Sequence, residues 1–306
     1  MAVRIGIGLA NLPFDDARGF WRWVEQLERS GYDSFWQTDR LISREPMLES
    51  IASMAALAGA TERLKFGMSV TVVTFRDPLV LAKQCATIDF LSGGRLLPAF
   101  GVGPAVAPEW RATGREPAGR GRRADEALTL LARLWSEPSV DFQGEFYRYQ
   151  GAVIAPRPVQ QPLPLWIGGS SEAAIRRTVR LGSGWLAGIQ TPAQVAAVVA
   201  RIRSQARAAG RAIDPEHYGA GFSFRFGDWS DPVVQATARG LTRFSQGLDP
   251  RDYLAVGGAR EIEARLAEYR EAGISKFVLR PMATDAGDMQ RQTRRLAEEV
   301  LPAVHG

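Results

Sequence analysis

The stretch LKFGMSVTVVTFRDPLVLAKQCATIDFLSGGRLLPAFGVG, residues Leu64–Gly103, predicts one strand–helix–strand unit. Its beginning, Leu64–Val73, is apolar and β-branched, as in a strand that is buried on both faces. Asp77 and Pro78 mark a helix start, because Asp caps the free amides of a first turn and Pro fits its first position. A Ser-Gly-Gly turn then precedes a second buried strand at Leu96–Val102. We therefore expect parallel strands that are joined by a helix.

The same alternation continues on both sides of this unit. Further strands are predicted at Arg4–Leu9, Ser34–Thr38, Leu165–Gly168, Trp185–Ala187, Gly219–Arg225 and Lys276–Arg280. Helices are predicted at 16–30, 46–60, 120–135, 172–181 and 192–209, with a last one that ends near 304. Eight strands that alternate with helices favour a single (β/α)8 TIM barrel over residues 1–306. An open doubly wound sheet is the alternative.

Two segments interrupt the alternation, 104–119 after the fourth strand and 228–258 after the seventh, and a short helix is predicted at 233–244 within the second. Both follow strands and therefore lie on the face where barrel enzymes carry their active sites. Long loops at that face are lids or substrate walls in many enzymes, and plain decoration in others. The sequence leaves both interpretations open.

Composition excludes several classes of protein. Of 38 basic residues only three are lysines, a bias that indicates a GC-rich genome rather than a nucleic-acid surface. The single cysteine, Cys85, predicts a reducing compartment without disulfides, and no apolar run is long enough to span a membrane. The two histidines, His217 and His305, are far apart, so no metal site is expected. We predict a cytoplasmic enzyme with a small-molecule substrate and no nucleic-acid or membrane partner.

The chain also resembles a known family through TERLKFGMSV, FRDPLVLAK, ATIDFLSGGRL and FGVG. LERSGYDSFWQTDRL and PLWIGGSSEAAIRR follow the same pattern, in the same order along the chain. These motifs resemble the bacterial luciferase-like family of flavin- or deazaflavin-dependent barrel enzymes. The resemblance implies an FMN(H2)-dependent monooxygenase acting on a small organic substrate, with a flavin reductase and a second copy of the chain as partners. A hydride-transferring oxidoreductase that uses the deazaflavin coenzyme F-420, and a non-catalytic flavin-binding barrel, are the alternatives.

The segment WIGGSSE, residues 166–172, is the strongest chemical motif. Glycine permits close backbone approach, and the free amides at a helix start attract a phosphate dianion. Read without the resemblance, the same segment could be only a Ser N-cap with an acidic first turn. The resemblance implies a flavin phosphate here, bound by Gly168, Gly169, Ser170 and Ser171, with Gln190 and Thr191 completing the rim.

A second motif lies within the central stretch, at Ser69 and Val70. In the resembling family this strand bulges beneath the flavin ring, often at a non-proline cis peptide, and the match places that bond at Ser69–Val70. The residues alone would favour a regular buried strand. Gly103, after the fourth strand, is expected to let the backbone approach the cofactor closely.

The third motif is Asp39-Arg40, at the end of the second strand. Family members often have Asp-His here, with His as a proton donor or substrate ligand. Arginine stays protonated and is a poor acid–base group, but it stabilises negative charge well. We expect Asp39 and Arg40 to be catalytic, with Asp39 holding Arg40. The alternative is that Arg40 forms a simple ion pair with Asp39 or Glu45 at the rim.

Overall fold

The structure is a computed structural model that describes residues 3–245 and 247–305. Its strands are β1 (Arg4–Leu9), β2 (Ser34–Gln37), β3 (Lys65–Met68), β4 (Thr71–Val72), β5 (Leu96–Leu97), β6 (Ala99–Gly101), β7 (Val140–Gln143), β8 (Arg148–Ala152), β9 (Trp166–Gly168), β10 (Gly184–Leu186), β11 (Tyr218–Ala220), β12 (Ser223–Phe226), β13 (Ala255–Gly257) and β14 (Lys276–Pro281). The α-helices are α1 (Ala17–Arg29), α2 (Ser50–Ala60), α3 (Pro78–Leu91), α4 (Glu109–Ala112), α5 (Arg120–Ser136), α6 (Glu172–Leu181), α7 (Pro192–Ala208), α8 (Pro232–Ser245), α9 (Ala259–Glu271), α10 (Ala286–Glu299) and α11 (Leu301–His305). Within the described residues, none of the helices has the length and apolar character that crossing a membrane requires.

Ten of these strands form a curled parallel sheet with the order β4-β6-β9-β10-β11-β14-β1-β2-β3-β5, β12 and β13 add to it beside β14, and β7 and β8 form a separate antiparallel pair. The sequence order of strands and helices therefore follows the predicted α/β alternation. The predicted third strand is shorter than expected, because it breaks after Met68, resumes as β4 and then turns into a 3-10 helix at Val73–Phe75. The predicted seventh strand is likewise two strands, β11 and β12, separated at Gly221 and Phe222.

Capping residues set the helix boundaries. Asp77 accepts the amides of the first turn of α3, as predicted, and Ser171 caps α6 at the predicted position. Helix α2 begins at Ser50 rather than at residue 46, because the Glu49 carboxylate accepts the amide of Ala52 and so fixes the start. Caps that use Glu are less recognisable in a sequence than those that use Ser or Asp.

Large side chains fill the inside of the curl. Trp36 on β2 and Trp166 on β9 pack edge to face, with ring centroids 6.2 Å apart. Neighbouring glycines make room for them: a Cβ at Gly67 would lie 2.9 Å from the Trp36 ring, and one at Gly184 would lie 2.5 Å from the Trp166 ring. The interior is therefore a packed core, and free space is left at its carboxyl end.

The segment after β12 was only partly predicted. A helix near 233–244 was expected inside the insertion 228–258 and is observed as α8. The insertion also contains β13, which pairs in parallel with β12 and was not predicted. Helix α9 follows it, in residues that carried no sequence assignment. β13 is only three residues long, too short for a periodic pattern to identify.

Candidate functional site

A cavity of about 900 Å³ opens at the carboxyl ends of the parallel strands. Its walls come from the segments that follow β2, β4, β6, β9 and β10, and from α8 through Phe244. Among the predicted site residues, it is lined by Asp39, Arg40, Ser69, Val70, Gly103, Gly168, Gly169 and Ser171. The predicted residues that do not line it are Ser170, Gln190 and Thr191.

The floor of the cavity is built around Val70. The Ser69–Val70 peptide bond is cis, as the resemblance implied. Gly101 and Gly168 lie on either side of Val70: a Cβ on the first would be 2.7 Å from Val70 Cγ2, and one on the second would be 2.8 Å from Cγ1. Real Cβ contacts are not that short, so both positions require glycine while Val70 keeps its place. The flat apolar floor therefore depends on three separate strands.

The wall after β6 turns at Gly103, where φ is 74°. This left-handed conformation favours glycine. A Cβ there would also lie 3.1 Å from Val72 Cγ1, against the strand that carries the floor. Gly103 thus brings the backbone close to the cavity, as expected from the sequence.

One wall is the start of helix α6. Gly169 has φ 103°, and Ser171 caps the helix by accepting the amide of Ala174 at 3.2 Å. Trp185 Nε1 donates to the Gly169 carbonyl at 2.7 Å, which holds this turn in place. The N-terminal amides of a ten-residue helix therefore face a cavity. That arrangement suits an anion.

The other predicted residues of this rim make contacts within the protein. Ser170 donates its hydroxyl to the side-chain oxygen of Gln190. The backbone carbonyl of Gln190 also accepts the phenol of Tyr269. Thr191 caps α7 in a reciprocal arrangement with Gln194. In this structure these three predicted residues support the rim behind the cavity wall.

Asp39 is held by Arg76 and not by Arg40, so the expected Asp39–Arg40 pair is wrong. Both guanidinium nitrogens of Arg76 donate to the Asp39 carboxylate at 2.8 Å. The carboxylate also accepts the hydroxyl of Ser50 at 2.9 Å and the amide of Val72 at 3.1 Å. Burial alone would lower the pKa of Arg76, but its pairs with Asp39 and Glu49 raise that pKa above the usual range. Asp39 therefore ties β2 to α2 and β4.

Arg40 is partly buried and lines the cavity. In the part of the chain that the structure describes, its guanidinium has no hydrogen-bond or ion-pair partner, and neither Asp39 nor Glu45 contacts it. A cation that the protein does not neutralise is available to a ligand. The structure thus places Arg40 at the cavity, and its catalytic role stays a prediction.

Sequence reasoning missed Arg280, at the end of β14. Its Nη2 donates to the Ser69 hydroxyl at 2.9 Å, directly beneath the cavity floor. The side chain crosses the inside of the curl over Gly8, where a Cβ would lie 2.8 Å from Arg280 Cγ. Burial lowers the pKa of Arg280 to about 10. The available sequence signal was Gly8 on β1, which leaves room for a large side chain from the neighbouring strand. It points to Arg280 only when β1 is known to pair with β14.

The sequence profile of the luciferase-like monooxygenases matches residues 4–248. The chain belongs to this family. Within the described residues, no group of three or more His, Cys, Asp or Glu side chains is arranged to hold a metal ion.

Relatives in the family use two types of cofactor. An uncharacterised protein of Mycobacterium tuberculosis is 33% identical over 168 residues, which are 55% of this chain and 57% of that protein. The F420-dependent glucose-6-phosphate dehydrogenase of Amycolatopsis mediterranei is 26% identical over 92% of both chains. The FMNH2-dependent dimethylsulfone monooxygenase of Pseudomonas putida is 32% identical over 61% of this chain and 53% of its own. The chain is thus similar over little more than half the length of some relatives.

Solved structures show the same fold. The monooxygenase RslO1 from Streptomyces bottropensis superposes with a TM-score of 0.83 at 21% identity, over 98% of this chain and 99% of that one. An F420-dependent secondary alcohol dehydrogenase also superposes with a TM-score of 0.83, at 20% identity over 100% of both chains. The two families of chemistry share this architecture, so the fold alone does not select the cofactor.

Proposed function

We propose that this protein is an FMN(H2)-dependent monooxygenase that acts on a small organic substrate. The observation that carries the proposal is one cavity in which an apolar floor at Val70 meets the free amides at the start of α6, at Ser171 and Ala173. The planar flavin ring needs an apolar floor, and the flavin phosphate needs free backbone amides. Both features belong to the described residues and are independent of the family match.

The proposal includes a complete (β/α)8 barrel that forms one domain over residues 1–306. The strand pairings support it: β1 pairs with β2 on one side and with β14 on the other. β3 and β4 are consecutive parts of one strand, and so are β5 and β6, so the two ends of the sheet are joined through them. Eight strand positions thereby return to their start.

The residues present fit FMN. Ser171 and Ala173 offer free backbone amides to the phosphate, the turn at Gly169 places them, and Val70 supports the ring from below. When bound, FMN supplies the oxidation–reduction chemistry with oxygen. Arg40 orients and stabilises negative charge above the floor, since a guanidinium stays protonated at any working pH. The apolar side chains of Val72 and Phe75 line the cavity and reduce the access of water to the reaction space.

A second candidate is a hydride-transferring enzyme that uses the deazaflavin coenzyme F-420. One observation favours it: Arg120 lines the cavity, and Arg111 and Arg115 lie on the same segment after β6. An acidic cofactor tail beyond the phosphate would need such a basic exit. The relative that is similar over 92% of both chains is an F420-dependent enzyme. We place FMN first because Arg40 stands where deazaflavin users often have a histidine.

The remaining parts of the proposal concern the cell. Reduced flavin would come from a separate flavin reductase, the enzyme would act in the cytoplasm, and it would assemble as a homodimer.

Turnover with pre-reduced cofactor distinguishes an enzyme from a non-catalytic flavin-binding barrel. Anaerobic titration with FMNH2 and with reduced deazaflavin decides between the cofactors, and tighter binding of the deazaflavin would overturn the choice of FMN.

The decisive experiment replaces Gly169 with valine. The added side chain requires a different φ and crowds the amides at the start of α6, so FMN should bind at least tenfold more weakly. Riboflavin, which has no phosphate, should lose much less affinity. Gly151→Val is the matched control, because Gly151 also has positive φ (59°) but lies far from the cavity, in strand β8. Equal losses for FMN and riboflavin would refute the phosphate site.

A further inference from the structure

The charged side chains that line the cavity differ in whether the protein pairs them. Asp39 is paired with Arg76, as described above. Arg177 is paired with Asp125, with 2.8 Å between Nε and the carboxylate. Over residues 3–245 and 247–305, three other cavity-lining charges have no ion pair within 4.0 Å, and these are Arg40, Glu109 and Arg120.

Glu109 is the most unusual of the three. It is the first residue of α4 and only 5% exposed, yet its carboxylate has no hydrogen-bond partner among the described residues. The next residue fixes its position: Trp110 donates its indole to the Pro104 carbonyl at 2.9 Å and packs on Phe75, with ring centroids 4.5 Å apart. The carboxylate oxygens are not among the fully enclosed side-chain atoms that lack a partner, so they border the cavity and are open to a cationic group of a ligand.

Arg120 has a counter-charge in the proposed FMN complex. It starts α5 beside Gly121, whose carbonyl accepts Arg177 Nη2 at 3.1 Å. Arg177 belongs to α6, the helix whose first amides are proposed to bind the phosphate. Arg120 is therefore near the phosphate end of the cavity. This leaves Arg40 and Glu109 for the substrate.

Arg40 and Glu109 have opposite charge and line the same cavity, but they do not pair with each other. Opposite charges that share a low-dielectric space attract strongly unless the protein keeps them apart. Arg40 lies in the loop that follows β2, and Glu109 starts α4, where the neighbouring Trp110 is anchored to the Pro104 carbonyl. A molecule with a positive and a negative end can then satisfy both at once.

We propose that the substrate is a small bipolar molecule, with an anionic group bound by Arg40 and an ammonium group bound by Glu109. The proposal rests on the proposed function in one respect, that the FMN phosphate occupies Arg120. The guanidinium fork matches a carboxylate or another planar anion. The Glu109 carboxylate accepts hydrogen bonds only, and so selects an amine over a neutral methyl group.

The test is calorimetric titration of the FMN-loaded protein with ω-amino carboxylates of two to five carbons. Unsubstituted carboxylates and alkylamines of the same lengths are titrated in parallel. At least one amino carboxylate should bind about tenfold or more tighter than its carboxylate and amine counterparts, since each charge-assisted hydrogen bond is roughly twice as strong as a neutral one.

Two variants assign the two ends. Glu109→Gln keeps the side-chain volume but should abolish the preference for the amine while the affinity for plain carboxylates stays. Arg40→Gln should weaken the carboxylates and leave the alkylamines unchanged. Glu116→Gln and Arg44→Gln are the matched controls, because both residues are exposed, lie on the same two segments and do not line the cavity.

The proposal is overturned if no amino carboxylate binds tighter than its counterparts, or if Glu109→Gln behaves like Glu116→Gln. FMN affinity is measured separately by titration of the same preparations. Normal FMN binding without a preference for bipolar molecules refutes this inference and leaves the proposed function standing. Failure to bind FMN refutes the proposed function and, with it, the assignment of Arg120 to the phosphate on which this inference rests.

Discussion

Replacing Gly168 with alanine tests whether the cavity floor is built as described. The new Cβ would lie 2.8 Å from Val70 Cγ1 and 3.1 Å from Cγ2, where ordinary contacts are 3.4–4 Å. Val70 has no room on its other side, because its Cγ2 already lies over Gly101. The added methyl group must therefore push Val70 into the cavity or strain the strands. Overpacking of this kind costs about 1–3 kcal/mol of unfolding free energy.

Urea unfolding of the cofactor-free protein measures that loss, and titration with FMN measures the damage to the floor. We expect both to worsen in Gly168→Ala. Gly188→Ala is the control, since Gly188 also lines the cavity but a Cβ there meets nothing within 4 Å. Adding Val70→Ala removes both Cγ atoms, so the double variant should recover most of the loss, as a coupling energy in a double-mutant cycle. The reasoning is refuted if Gly168→Ala matches Gly188→Ala, or if Val70→Ala restores nothing.

Three further changes give measurable outcomes. Arg76→Ala leaves the Asp39 carboxylate, which is 2% exposed, buried without its cation, and should lower the free energy of unfolding in urea by about 3–5 kcal/mol. The control Arg44→Ala changes an exposed arginine and should lower it little. A loss below about 1 kcal/mol in Arg76→Ala would contradict the buried pair. Arg40→Ala should bind oxidised FMN normally but lose about a hundredfold in kcat/KM with pre-reduced cofactor, and unchanged single-turnover kinetics would remove Arg40 from the reaction. Burial raises the pKa of the Cys85 thiol to about 12, so the unfolded chain releases this proton first and stability falls as pH rises above about 9. Between pH 8 and 10.5, the free energy of unfolding in urea should therefore fall by about 2 kcal/mol less in Cys85→Ala than in the wild type. Equal falls in the two proteins would contradict the raised pKa of Cys85.

The sequence predicted those parts of the fold that local chemistry determines. Helix α6 has the predicted bounds, because Ser171 supplies the cap and Gly182 ends the apolar period. Helix α3 was found through Asp77 and Pro78 for the same reason. The short strand β13 was not predicted, since three residues leave no periodic pattern, whereas the break in the third strand lies at the bulge that the resemblance implied at Ser69 and Val70. The cis bond at Ser69–Val70 came from the resemblance alone, because nothing in the residues by themselves requires it.

The site was harder to predict than the fold, because its chemistry depends on which charges remain unpaired. Asp39 and Arg40 are adjacent in the chain, and adjacency suggested a pair, but both lie in the loop after β2, where no regular pattern of side-chain directions applies. Asp39 therefore meets Arg76, 37 residues further on, and Arg40 is left facing the cavity. Glu109 carried no sequence signal at all, since a carboxylate in a loop rich in Pro, Gly and Arg is ordinarily solvated. Glu109 is 5% exposed beside Trp110, which packs on Phe75, and among the described residues neither Glu109 nor Arg40 forms an ion pair, which leaves both available to one bound molecule.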